Sequence, residues 1–202
     1  MSRTYVLLTT DSAAAVMIDV DDASSSSAAA FIDERGAALK YIVLTHEHYD
    51  HVGGVKTLQQ RYDARLVCSR ACADGISNPR RNFSRYLAGA DYTCGPPDDT
   101  CEDLGWKLRL DGIVFDLLET PGHSPGSICI AAGATLFSGD TLIHDARTVT
   151  KLPGGDKEAL ARSLARIRSR CRPGTQVYPG HGDPFPLAET SPRTEGETVE
   201  TR

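Results

Sequence analysis

Apolar residues in this chain fall into short runs divided by turn-forming residues, and their spacing switches between that of a strand and that of a helix. Residues 4–9 and 15–20 predict two strands around the polar turn Thr10-Asp11-Ser12. Ser24 to Arg35 predicts a helix, with its serine-rich start as cap and Gly36 as stop. Tyr41-Ile42-Val43-Leu44 is β-branched and aromatic enough to predict a buried strand. After Gly53-Gly54, Val55 to Tyr62 predicts a helix and Arg65 to Cys68 a short strand. Residues 75–105 carry Asn78-Pro79, Gly95-Pro96-Pro97 and Asp98-Asp99, and predict a long irregular excursion of the kind that often serves function.

Strand signals return at 106–110, 113–118, 127–131 and 134–137, with Gly112 and Gly133 in the turns. Asp156 to Arg168 predicts the clearest helix, because Leu160, Leu164 and Ile167 share a face that Arg162 and Arg166 avoid. Thr175 to Tyr178 predicts a last strand. Strands alternate with helices in both halves, which predicts an α/β (α+β) domain over 1–187. The polar stretch 188–202 predicts a disordered tail.

Composition narrows the field. A length of 202 residues suits one well-buried domain, and 40% hydrophobic with 24% charged residues is ordinary for a globular protein. A net charge of −5 offers no strong basic field, so no nucleic-acid partner is expected. No segment approaches the roughly 20 apolar residues of a membrane span, and the N-terminal apolar run is too short for a signal peptide. The expected setting is cytoplasmic. The cysteines at 68, 72, 94, 101, 129 and 171 match neither a zinc ribbon nor a disulfide framework, so free thiols are expected. Cys94 and Cys101 flank a Gly-Pro-Pro turn and are the one pair that oxidation could join.

The chemistry lies in the histidines. His46, His48 and His51 fall with Asp50 in one H-x-H-x-D-H run behind the Tyr41–Leu44 strand. His123 follows Thr120-Pro121-Gly122, Asp140 follows Ser138-Gly139, and His181 follows Tyr178-Pro179-Gly180. Each piece comes just after a predicted strand, where loops commonly carry chemistry. Imidazole and carboxylate are the usual ligands of zinc and similar divalent ions. Residues i and i+2 of an extended segment point the same way, so His46 and His48 can share one ion with His123. Asp50, His51 and His181 can face a second, with the Asp140 carboxylate between. A hydroxide shared by the ions could then attack a carbonyl or phosphoryl centre. Asp50 is a candidate both as ligand and as catalytic residue. His144 is left out as an ordinary surface or core histidine, Tyr178 reads as a core strand residue, and Arg80, Arg81 and Arg85 read first as a solvated loop face.

These motifs in this order resemble the metallo-β-lactamase superfamily over roughly residues 4–187. The resemblance implies an αβ/βα four-layer sandwich, two mixed sheets face to face with helices outside and the site along one edge. Gly139-Asp140-Thr141-Leu142 and Leu152-Pro153-Gly154-Gly155-Asp156 are most similar to glyoxalase II-like hydrolases. That implies two divalent ions, zinc first and iron or manganese as alternatives, and hydrolysis of a small-molecule thioester or related ester. The helical domain that helps longer glyoxalase II proteins hold glutathione is not expected within these 202 residues. Ala146-Arg147-Thr148-Val149 also departs from the related Gly-Arg-Thr-Asp segment. The competing readings are a mononuclear iron persulfide dioxygenase, a lactonase and a non-catalytic metal-binding sensor. The dioxygenases tend to have Ala-His where this chain has Gly180-His181, which favours the hydrolase.

Overall fold

The computed structural model describes residues 2–9, 13–101 and 106–189. The expected turn at 10–12 lies outside them, as does the expected tail from residue 190 onward.

The first half builds a five-stranded sheet. Its strands are β1 (Tyr5–Leu8), β2 (Ala14–Ile18), β3 (Ala38–Val43), β4 (Arg65–Ser69) and β5 (Asp99–Cys101), side by side in that order. β1 pairs antiparallel with β2, and the remaining pairs are parallel. The crossovers are helices: α1 (Asp22–Glu34), the single turn α2 (Tyr49–Val52), α3 (Val55–Arg61), α4 (Arg70–Ile76) and the short α5 (Ser84–Leu87).

The second half builds a six-stranded sheet from β6 (Trp106–Leu110), β7 (Ile113–Glu119), β8 (Ile128–Ala132), β9 (Thr135–Gly139), β10 (Gln176–Pro179) and β11 (Phe185–Pro186). Only the β9–β10 pair is parallel, and α6 (Lys157–Arg170) makes that crossover.

Three apolar clusters define the layers. Val16, Ile18, Val43 and Val67 from the first sheet meet Leu108, Phe115, Leu117, Ile130 and Phe137 from the second. On the outer face of the first sheet, Met17, Ile42 and Leu66 pack under Ala28 and Ile32 of α1, Leu58 of α3 and Ile76 of α4. On the outer face of the second, Leu118, Leu136 and Val177 pack under Ile167 of α6. This is the expected four-layer sandwich of helices, sheet, sheet and helix. Alternation along the strands produces it, since residues i and i+2 share a face.

Several predicted details change. α1 starts at Asp22, because the Asp21 side chain accepts the Ser24 backbone N–H at 2.6 Å; the serines lie inside the helix and do not cap it. Gly36 does end it, with a left-handed φ of 61°. The 75–105 excursion is mostly irregular over its described residues, 75–101, as expected, but it holds the end of α4, α5 and β5 and is tied down by side-chain hydrogen bonds. α4 opens before it, capped by Ser69, whose hydroxyl accepts the Cys72 N–H at 3.0 Å. Inside it, the buried Asn82 side chain donates to the Tyr92 carbonyl at 2.8 Å and its oxygen accepts the Ser84 N–H at 2.9 Å. Asp50 and His51 sit on the helical turn α2 and not on an open loop. Residues 187–189 form a 3-10 turn, so the start of the expected tail is structured. Cys94 and Cys101 are both buried free thiols with different neighbours: the Tyr92 hydroxyl for one, the Cys68 carbonyl for the other. No helix among the described residues is long and apolar enough to cross a membrane.

Candidate metal centre

Every predicted ligand leaves the end of a strand or the short helix beyond it. His46 and His48 follow β3, Asp50 and His51 lie on α2, His123 follows β7, Asp140 follows β9 and His181 follows β10. The fold brings all seven together, six of them in two adjoining groups with Asp140 between. His46, His48 and His123 form one cluster of convergent donor atoms, and Asp50, His51 and His181 form another. His48 Nδ1 faces His123 Nε2 at 3.0 Å, and His51 Nε2 faces His181 Nε2 at 3.3 Å. Asp140 reaches both groups: its Oδ2 lies 3.6 Å from His123 Nε2 and 3.5 Å from His181 Nε2, and its Oδ1 3.5 Å from His51 Nε2.

Hydrogen bonds on the outer side of the rings fix which nitrogen points inward. The Thr45 hydroxyl donates to Asp19 Oδ2 at 2.6 Å, so its oxygen must accept from His46 Nδ1, 3.0 Å away. That leaves His46 Nε2 as a bare lone pair. His51 Nδ1 donates to Asp19 Oδ2 at 2.8 Å, and His123 Nδ1 to the Val149 carbonyl at 2.9 Å. His123 therefore presents an unprotonated Nε2, and His51 turns its Nε2 inward, where a cation would take the place of the ring's second proton. Such outer partners set tautomer, orientation and ligand basicity.

Asp19 is the functional residue that the sequence reading missed. It is buried at the end of β2 with a left-handed φ of 52°. Besides Thr45 Oγ1 and His51 it accepts the Thr45 backbone N–H at 2.7 Å, so one carboxylate fastens the histidine run at both ends. The available signal was an acid closing the wholly apolar run Ala14–Ile18. Although it also lies in a possible donor group with His46 and His51, its oxygens are engaged in hydrogen bonds, and it works as a clamp.

Glu47, between the first two histidines, points the other way. It is buried and accepts the Ser124 hydroxyl at 2.9 Å, tying the β3 loop to the His123 loop. Burial pushes its carboxyl up, against the pull of the hydrogen bonds from its own backbone and from Ser124.

The electrostatics divide the site. Burial holds His46 well below the ordinary histidine range, and burial reinforced by His123 lowers His48 to about 3. Burial also lowers His123, with Asp140 opposing. This triad thus arrives neutral, as ligation requires. At the other triad burial opposes charge and loses. Asp19, Asp140 and Asp50 raise His51 to about 9 against that burial. The Asp50 hydrogen bond raises His181. Burial pushes Asp50 up, but the His181 hydrogen bond and the His51 charge hold it well below the usual carboxylate range. Without a cation, protons gather where the carboxylates call for positive charge.

Two buried atoms have no hydrogen-bond partner among the described residues: His46 Nε2 and Asp140 Oδ1. One belongs to the first triad and the other to the carboxylate between the triads. Orphaned buried donors and acceptors are costly, and a bound cation satisfies both. Gly180 supports the same fit. A Cβ there would collide with the Asp140 carboxylate and stand 2.7 Å from His51 Cε1, so only glycine lets the β10 loop close over the two side chains. The donor set of nitrogen and oxygen suits zinc, iron or manganese.

A family model described as the metallo-beta-lactamase superfamily matches residues 3–181. The chain belongs to this superfamily. Among curated members it is 30% identical over 154 residues to "Probable metallo-hydrolase YqgX" of Bacillus subtilis, covering 75% of this chain and 72% of that one. It is 30% identical over 156 residues to the hydroxyacylglutathione hydrolase GloC of Haemophilus influenzae, with the same coverage of 75% and 72%. Among solved structures, the BLEG-1 B3 metallo-beta-lactamase superposes with a TM-score of 0.83 at 28% identity, over 93% of this chain and 90% of that one. TTHA1623, solved in a di-iron-bound form, gives 0.76 at 32% identity over 95% and 94%. Like the metallo-hydrolases of this superfamily to which it is similar, the chain carries the His and Asp clusters of a metal site.

The residues set aside stay apart. His144 stacks on Phe185 at 5.0 Å and lies 3.5 Å from Glu189. Tyr178 packs against Tyr5 and Phe137. Arg85 is engaged by Asp91 at 2.6 Å, which makes it a brace of the 84–91 segment, whereas Arg80 and Arg81 stand exposed before Phe83.

Proposed function

We propose that this chain is a dinuclear metal-dependent hydrolase of thioesters, similar in chemistry to the glyoxalase II-like enzymes. The observation that carries the reading is the pair of three-donor clusters joined by Asp140. His46, His48 and His123 would hold one divalent ion, Asp50, His51 and His181 the other, with Asp140 between them. Two such ions supply Lewis acidity for a carbonyl oxygen and a nucleophile from water at neutral pH.

The protein's own part is positioning. His46 and His51 are fully enclosed, whereas the side chains of His181 and Asp50 keep 33% and 38% exposure, so substrate approaches from the second triad. Asp50, held ionised by His51 and His181, stays an acceptor facing that approach. Asp19 and the Val149 carbonyl take the Nδ1–H groups of His51 and His123, which turns Nε2 of each ring toward the ions that would bind. Gly180 supports two ions over one, since an alanine there would displace the carboxylate and the imidazole that serve the second ion. The hydroxyacylglutathione hydrolase among the relatives supports a thioester as the substrate.

The test combines elemental analysis with a panel of thioesters, lactones and phosphodiesters on zinc, iron and manganese forms. Two metal equivalents per chain and thioester turnover are expected, with both His48→Ala and Asp50→Asn inactive but folded. Full activity in either variant would overturn the site. Turnover confined to lactones would replace the thioester reading, and a single iron with oxygen consumption would replace the hydrolase.

A further inference from the structure

Four of the five large apolar side chains left in solvent among the described residues lie on two segments of the chain. The five are Phe31 at 36% exposure, Tyr86 at 67%, Leu87 at 63%, Val149 at 49% and Leu152 at 39%. All but Phe31 lie on two segments fastened to metal-site histidines. The Phe83 ring packs on the His48 ring at a centroid distance of 4.9 Å, and the Tyr86 ring follows it at 6.3 Å. Leu87 is the next residue of α5. The Asn82 carbonyl accepts the Tyr49 N–H at 2.7 Å, which pins the start of this segment to the histidine run. On the other segment the Val149 carbonyl takes the His123 Nδ1 hydrogen bond. Leu152 follows in the same stretch, where Gly154 is packed so closely on Pro125 that a Cβ would meet it at 2.9 Å. His48 and His123 touch each other at 3.0 Å, so the two apolar segments attach to adjoining sides of one donor pair.

Solvent-exposed apolar residues are unremarkable singly and informative when grouped. Here the grouping coincides with the reaction centre. Phe83, whose ring packs on His48, holds a left-handed backbone with φ of 62°, uncommon for a bulky residue. A rim built to receive a hydroxylated acyl group would offer hydroxyls or amides at these positions. Here only the Tyr86 hydroxyl is of that kind, and Leu87, Val149 and Leu152 are wholly apolar.

We propose that the rim formed by Tyr86, Leu87, Val149 and Leu152 binds an apolar acyl chain, so that the substrate class is thioesters of longer alkyl or aromatic acids. This rests on the thioester reading above for the bond that is cleaved, and on the apolar rim for the acyl group. Its occupant is the acyl part of the substrate: entry is from the exposed Asp50 and His181 side, and the rim stands on the His48 and His123 side of the centre, where the group carried by the scissile carbonyl would come to rest.

The test reads binding separately from turnover. S-alkyl thioethers of N-acetylcysteamine, from methyl to decyl, cannot be hydrolysed and are titrated calorimetrically into the zinc-loaded full chain. Burial of methylenes predicts that the decyl compound binds about tenfold or more tighter than the methyl one. Tyr86→Ser with Leu87→Ser, or Val149→Ser with Leu152→Ser, should flatten that series; both pairs are exposed, so folding is preserved. Phe31→Ser, on α1, should leave it unchanged. Equal binding of all thioethers would overturn the inference, as would an equal loss in Phe31→Ser. Wild-type self-association that the Tyr86→Ser, Leu87→Ser variant abolishes, with no effect on the series, would assign the patch to a contact between copies instead. A steep series without thioester turnover would keep the rim and sink the thioester reading. Thioester turnover with a flat series would do the reverse.

Discussion

Asp19 shows how much of a metal site is decided one hydrogen bond away from the ligands. Its Oδ2 holds the His51 imidazole and the Thr45 hydroxyl, which in turn holds His46. Asp19→Asn keeps the shape but puts an amide N–H2 or a weaker acceptor against His51 Nδ1. The expected result is a folded protein whose affinity for the ion held by His51 falls roughly 10–100-fold. Elemental analysis after dialysis should then find close to one metal equivalent in place of two; two firmly held equivalents would show that Asp19 is only a structural acid. The seven candidate ligands were readable in the sequence because each is a histidine or aspartate beside glycine or in a tight run, at spacings that chance rarely assembles. Asp19 was not, because a single acid after an apolar strand looks like any turn residue until its left-handed backbone and its distant partners are seen. Glu47 was hidden for the opposite reason: it sits inside the motif and faces away from it.

Among the elements, α6 does more than cover the second sheet. Its cap Asp156 accepts the Glu158 and Ala159 N–H groups at 2.8 and 2.9 Å, while the Asp156 N–H donates to the Gly122 carbonyl at 2.8 Å. The Ser163 hydroxyl donates to the Pro121 carbonyl at 2.7 Å, and Arg166 donates to that of Glu119. The helix thereby carries the turn that aims His123. Gly122 makes this closeness possible, with φ of 141° and a position for Cβ already filled by the Leu160 backbone. Asp156→Ala should cost about 1 kcal/mol as a lost cap, lowering Tm by roughly 2–4 °C in a chain of this size. Because the same residue steadies His123, scanning calorimetry should be paired with a metal titration, and both are expected to weaken. The α6 boundaries were legible from its apolar stripe and from Asp156. The 70–101 region was not, because its short helices are held by side-chain bonds such as Asn82 to Tyr92 and Ser84, which no periodicity reveals. Within that region Arg80 and Arg81 stay exposed close to Phe83. Replacing both by alanine should raise KM several-fold for a thioester with an anionic thiol carrier and spare kcat. An unchanged KM would make them a solvated face.

At the scale of the whole molecule, each donor cluster draws on both sheets. His46 and His48 come from the end of β3 while His123 comes from the end of β7; Asp50 and His51 follow the first sheet while His181 and Asp140 follow the second. The sandwich itself was legible from the alternation of strands and helices. The way the halves meet was legible only through the resemblance, since the cluster between the sheets joins Val16 and Val43 of the first half to Phe115 and Phe137 of the second, residues far apart in the chain. Bound ions that favour the folded state stabilise it by mass action, by about 4 kcal/mol at a thousandfold excess over Kd. Chelation is therefore expected to lower Tm clearly, with recovery on adding zinc, and an unchanged Tm would mean that the sheets do not depend on the ions.

The division of donors between the sheets also has a consequence for the order of events as the chain folds. A nascent or partly folded first half offers His46, His48, Asp50 and His51 without the third donor of either cluster, and the second half alone offers no more than His123, Asp140 and His181 on separate loops. Neither half can capture an ion in its final geometry. Metal uptake should therefore be the last step of assembly, a lock that closes on a finished sandwich, and its rate should follow sheet docking, not metal concentration.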